Sequence, residues 1–162
     1  MLTFGCAHYQ VGSQSLYAPD VRTVYVPMIE SDSYRRDLGE RLTEAVVREI
    51  ELKTPYKVVG SPEADAILSV RLLGDSRVVL IEDRFDAPRA LENNLAAEVN
   101  FINRRRVAYE PIQPMMLEIP PELIVNESSV MVPVLGQSVA SSQQQAIERL
   151  AQEIVGRMEQ SW

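Results

Sequence analysis

Val21-Arg22-Thr23-Val24-Tyr25-Val26-Pro27 alternates apolar and polar side chains, is rich in β-branched residues and ends on proline, a combination that predicts a strand. Ser31-Asp32-Ser33 then supplies side chains able to cap the first free amides of a helix. Beyond it Leu38, Leu42, Ala45, Val46 and Ile50 recur at three- and four-residue spacing, so the apolar period lengthens to that of a helix. The spacing predicts an amphipathic helix from about Tyr34 to Leu52, stopped at Thr54-Pro55 because proline disfavours helical geometry at the residue before it. Gly39 lies inside this helix at a cost of about 1 kcal/mol relative to alanine, which points to close approach by a neighbouring segment. The outer face pairs Asp37 with Arg41 and Glu44 with Arg48 at i,i+4, as a solvated helix surface does.

Working outward, Tyr56-Lys57-Val58-Val59 is a short strand, Ser61 to Asp65 a turn, and Ala66 to Leu73 a strand buried on at least one face. Gly74-Asp75-Ser76 reads equally as a bulge or as a hairpin turn before Arg77-Val78-Val79-Leu80-Ile81. Asp83 to Asn93 is charged, holds Pro88 and is expected to be a loop. Leu95, Ala97, Val99 and Phe101 alternate with Ala96, Glu98 and Asn100, which predicts a half-buried strand with one wet face. Asn103-Arg104-Arg105 would turn the chain and Arg106 to Glu110 would return antiparallel. Pro111, Pro114, Pro120, Pro121 and Pro133 argue against regular structure from Pro111 to Gly136, a long loop of the kind that is usually functional.

A last helix is expected from about Ser138 to Glu159, with Ile147, Leu150, Ala151, Ile154, Val155 and Met158 in one stripe and Trp162 closing it. Near the start, His8 to Gly12 is a candidate edge strand. The resulting order, β, β, α, β, β, β, β, α, predicts an α+β fold: a two-layer sandwich with two amphipathic helices on one face of a mostly antiparallel mixed sheet.

At 162 residues the chain fits one domain, and 46% apolar against 24% charged residues is a globular composition. Lys+Arg 16 against Asp+Glu 23 gives a net charge of -7, which repels polyanions and argues against nucleic acid as a partner. No apolar run approaches the roughly 20 residues of a membrane-spanning helix. With His8 as the sole histidine and Cys6 as the sole cysteine, neither a Cys/His metal cluster nor a Ser/His/Asp triad can be assembled. Glu82-Asp83 and Asp86 are the nearest candidates for paired catalytic carboxylates, but they lie in a charged loop without apolar surroundings to raise a pKa. Gly74 and Gly136 stand alone, so no glycine-rich phosphate loop is present. The expectation is a protein without catalytic chemistry, cofactor or metal.

Two features carry functional meaning. Met1-Leu2-Thr3-Phe4-Gly5-Cys6 ends in a small residue and a cysteine, as a lipoprotein signal does at its cleavage point, which makes Cys6 the candidate lipidation site. Thr3 replaces the usual Leu and only five residues precede Cys6, so residues 1–6 are expected to be the remnant of a signal that is clipped or whose start was placed too late. The plainer reading of Cys6 is a buried free thiol. Arg104-Arg105-Arg106, with Arg84 and Arg89, can meet phosphate groups through charge-assisted contacts, whereas the same residues also suit a solvated hairpin tip.

Together these segments resemble the LptE family of outer-membrane lipoproteins, particularly its divergent members in planctomycete-like bacteria. The resemblance is carried by Gly5-Cys6 with His8-Tyr9, by Val24-Tyr25-Val26-Pro27, and by Leu42 to Ile50. It continues in Tyr56-Lys57-Val58-Val59, Ala64-Asp65-Ala66, Leu135-Gly136-Gln137-Ser138 and the final helix. Between Arg71 and Glu118 only the strand pattern matches. The resemblance implies a single LptE-like domain over residues 7–162, anchored by lipid to the periplasmic face of the outer membrane. It further implies a non-enzymatic plug that helps assemble an LptD-like β-barrel and deliver lipopolysaccharide (LPS), with Arg104, Arg105 and Arg106 as possible contacts to its phosphates. A different periplasmic lipoprotein, such as a peptidoglycan synthase activator or a secretion-pore subunit, is the alternative, because similar small folds host unrelated functions.

Overall fold

The computed structural model describes residues 16–35, 37–105, 123–133 and 136–159. Along the chain these form β1 (Thr23–Tyr25), β2 (Glu30–Ser31), α1 (Asp37–Lys53), β3 (Lys57–Val59), β4 (Ala66–Glu82), β5 (Pro88–Asn103), β6 (Leu123–Met131) and α2 (Val139–Gly156). One six-stranded sheet has the order β3-β1-β4-β5-β6, with β2 alongside β4. The short strands β1, β2 and β3 pair in parallel, while the long β4, β5 and β6 form an antiparallel meander. The fold is α+β: two helices packed against an open mixed sheet, as expected.

Both helices follow from their apolar stripes. Leu38, Leu42, Val46 and Ile50 of α1 and Ile147, Leu150, Ile154 and Val155 of α2 are fully buried. They meet Val24, Ala66, Leu68, Leu72, Leu95, Ala97 and Val125, the sheet positions that alternate toward the helix layer. Helix α2 starts with a capping box in which the Ser138 side chain accepts from the Ser141 backbone amide and Ser141 reciprocates. Gly39 does allow close approach: a Cβ there would collide with the Ile29 carbonyl oxygen in the segment between β1 and β2. That segment is tied to the same turn of α1, because Ile29 N–H donates to Thr43 Oγ1 at 3.0 Å and Thr43 Oγ1 donates to Gly39 O at 2.7 Å.

The structure departs from the sequence reading in the middle of the chain. Gly74 is a bulge, since β4 runs unbroken from Ala66 to Glu82 with a register shift between Leu72 and Gly74. The expected loop from Asp83 to Asn93 shrinks to residues 83–87, and Pro88 opens β5, where a strand tolerates a missing N–H. The segment from Pro111 to Gly136, expected to be irregular, contains β6, whose ladder runs from Leu123 opposite Val99 to Met131 opposite Leu91. Polar residues Glu127, Ser128 and Ser129 hid this strand, and pairing along the whole of β6 holds it in place. The expected strands His8 to Gly12 and Arg106 to Glu110, together with Trp162, lie outside the described residues.

Candidate interaction surface

Beyond the Gly74 bulge, β4 and β5 continue as a hairpin arm. Val78, Val79, Leu80 and Ile81 are consecutive in β4, so they project to both faces, and they are 47%, 43%, 48% and 60% exposed. Phe85 at the tip is 73% exposed, and Val130 on β6 extends the row that runs from Val78 through Glu92. Exposed apolar side chains gathered this way are a feature of contact sites. Four successive apolar residues in a strand were the sequence signal for it.

The tip is built around Asp83. Asp83 Oδ1 accepts from the Phe85 N–H at 2.8 Å and the Ala87 N–H at 3.1 Å, while Oδ2 accepts from Arg89 Nε at 3.2 Å and Nη2 at 2.8 Å. These donors, the Phe85 amide foremost, hold the Asp83 carboxyl below its ordinary range. A general acid needs the opposite shift. Asp86 takes a positive φ of 60° to close the turn, and the Arg84 guanidinium lies 4.7 Å from the centre of the Phe85 ring. The three carboxylates singled out in the sequence thus sit at and beside a turn, with Asp83 and Asp86 shaping it.

The arm is fastened at its base on two sides. Asp75 accepts from Ser33 Oγ at 2.5 Å and lies 3.5 Å from Arg35 Nε, joining β4 to the segment before α1. Arg77 Nε donates to Asn93 Oδ1 at 2.9 Å, and Asn93 Nδ2 donates to Ser142 Oγ at 2.7 Å. Ser142 Oγ is in turn 2.8 Å from Ser129 Oγ, which also reaches the Ser142 carbonyl at 2.8 Å. Asn93, Ser129 and Ser142 are all buried, so α2, β5 and β6 share one satisfied polar knot under the arm. Nothing in local sequence signals it, because the partners come from three separate elements.

The arginines separate into two groups. Arg84 and Arg89 are at the arm tip, whereas Arg104 and Arg105 follow β5 at the opposite end of the hairpin, roughly 50 Å away along strands that rise about 3.3 Å per residue. There Arg104 Nη1 donates to the Pro62 carbonyl at 2.7 Å, and Arg105 Nε donates to Asp65 Oδ1 at 2.7 Å. Asp65 also accepts from the Arg22 and Thr23 amides at 3.0 and 3.1 Å. The Arg22 amide first, then Arg105, lower its pKa from 3.8 to about 2. Arg106, Cys6 and His8 lie outside the described residues.

A family model described as LptE, lipopolysaccharide-assembly, matches residues 21–161. The chain belongs to the LptE family. The match takes in every strand and helix described above, the arm included. Among solved structures, a hypothetical protein from Chlamydia trachomatis is similar at 11% identity and TM-score 0.56, over 85% of this chain and 95% of that one. An uncharacterized lipoprotein B from Nitrosomonas europaea is similar at 12% identity and TM-score 0.50, over 90% of this chain and 89% of that one. At such identities the likeness is one of fold. No curated protein matches the chain in sequence.

Proposed function

We propose that this LptE-family chain is a non-enzymatic outer-membrane lipoprotein, acylated at Cys6, that seats as a plug in an LptD-like β-barrel and helps that barrel assemble and deliver LPS. The family match over residues 21–161 carries the reading. The arm supports it, since a scaffold acts through shape and exposed surface rather than reactive groups, and the arm supplies both. In this reading Val78 to Phe85 meet the barrel, while Arg104, Arg105 and Arg106 at the other end of the hairpin contact LPS phosphates. Two or three acyl chains at Cys6 would give a stable anchor where a single chain binds only marginally.

Affinity capture from gently solubilised outer membranes tests the proposal, using the full precursor expressed in a lipopolysaccharide-producing host. A β-barrel protein should be retained with the chain, and mass spectrometry should find Cys6 carrying an S-diacylglyceryl group, with or without a further acyl chain on its α-amine. A membrane-extracted chain with unmodified Cys6 and no barrel partner would overturn it.

A further inference from the structure

The face of the sheet turned away from the helices holds a second feature, centred on the bulge. Asn93 and Ser129 bond to Ser142 of α2, so their neighbours Asn94 and Ser128 point to the opposite face, as do Asn126 and, next to the inward Arg77, Ser76. Across three strands these make two rows, Gly74–Ala96–Asn126 and Ser76–Asn94–Ser128. The five side chains among them are short, and Gly74 has none. They floor a groove of about 670 Å³ walled by Leu73, the residue that the bulge pushes out of register. The next row toward the tip is Val78–Glu92–Val130 and the next row away from it is Arg71–Glu98–Ile124, so the rim mixes exposed apolar side chains with charged ones.

The chemistry of this floor selects among ligands. No charged side chain points into the two rows, and the cation in the row beside them, Arg71, is paired with Asp32 at 3.1 Å and lies opposite Glu98, so a phosphate would have to break an existing ion pair and approach a carboxylate. An acyl chain would bury two amides and two hydroxyls that have no hydrogen-bond partner among the described residues, which is unfavourable. An uncharged sugar meets both demands. Its hydroxyls can pair with Asn94, Asn126, Ser76 and Ser128, while its C–H faces rest on Leu73, Val78 and Val130.

We infer that this groove is a saccharide-binding site that recognises an uncharged, hydroxyl-rich glycan segment through Asn94 and Asn126. For LPS this deepens the proposed role by naming the sugar portion as the part that is read here. A glycan of peptidoglycan type presents the same chemistry.

The test uses the full chain, with backbone amide NMR titrations against a dephosphorylated, lipid-free core oligosaccharide of LPS and, separately, a chitooligosaccharide that stands for the peptidoglycan glycan strand. At least one should shift amides of β4, β5 and β6 around the two rows, and the tighter binder identifies the source. Asn94→Ala with Asn126→Ala should weaken that binding by about tenfold or more, the scale of one to two lost hydrogen bonds. Gly74→Leu should block it while preserving the fold, because a Cβ at Gly74 meets open space. Thermal midpoints of all variants serve as the folding control. Absence of any shift at millimolar sugar, equal affinity in the variants, or competition by inorganic phosphate would each overturn the site. Barrel capture does not depend on these residues, so the two readings fail separately.

Discussion

Asn93 Nδ2 donates to Ser142 Oγ at 2.7 Å with both residues buried, which locks the root of the arm to the first turn of α2. Ser142→Ala would take the Asn93 amide's acceptor away in a buried site, while the Ser129 hydroxyl keeps its bond to the Ser142 carbonyl. The expected cost is about 1–3 kcal/mol, because an unmatched buried polar group forfeits its hydration. Gln145→Ala on the exposed side of α2 should stay within about 0.5 kcal/mol. Urea midpoints measured at equal slope check the contrast.

Gly39→Ala separates helix propensity from packing. Propensity alone would stabilise α1 by about 1 kcal/mol. The added methyl meets the Ile29 carbonyl, so the variant should instead lose about 1–3 kcal/mol as the Ile29 segment is forced away. Thermal denaturation of the variant gives the sign directly.

These two cases show what the sequence made legible. Both helices were readable because each turn repeats its apolar stripe, and Gly39 announced a close neighbour by breaking a propensity rule. The arm was harder. Pro88 looks like a loop residue until β4 pairs with it, and Glu92 and Asn93 do so until β4 and β6 flank them and Ser142 satisfies the Asn93 amide. β6 was concealed by Glu127, Ser128 and Ser129 for the same reason. The arm's exposed apolar surface was legible only as an apolar run, whereas the groove at Gly74 needed the register of three strands before its rows could be seen.

Acid stability should report on Asp65. Its folded pKa of about 2 lies below the ordinary 3.8, so it contributes stability that is complete above about pH 4 and is lost as pH falls toward 2. Asp65→Asn should therefore flatten the fall in stability over that interval. Arg105→Ala should flatten it only in part, because the Arg22 and Thr23 amides remain. Denaturant melts at stepped pH measure both slopes.

Replacing Arg104, Arg105 and Arg106 together by alanine should weaken LPS binding at low salt. The gap should close as salt rises, since exposed charges are screened over a Debye length of ~10 Å at 0.1 M. Equal affinities of parent and variant at low salt would confine Arg104 and Arg105 to holding the turn at Pro62 and Asp65.

The most direct test places a photocrosslinking residue at Ile81 or Phe85, in separate variants, and irradiates intact cells. These positions are exposed at the end of the arm, so substitution there should leave the core undisturbed. A β-barrel adduct from both arm positions, and none from Glu51 on the exposed side of α1, is the predicted result. Adducts from the arm that contain no barrel protein, in membranes where the chain is acylated and folded, would contradict the account.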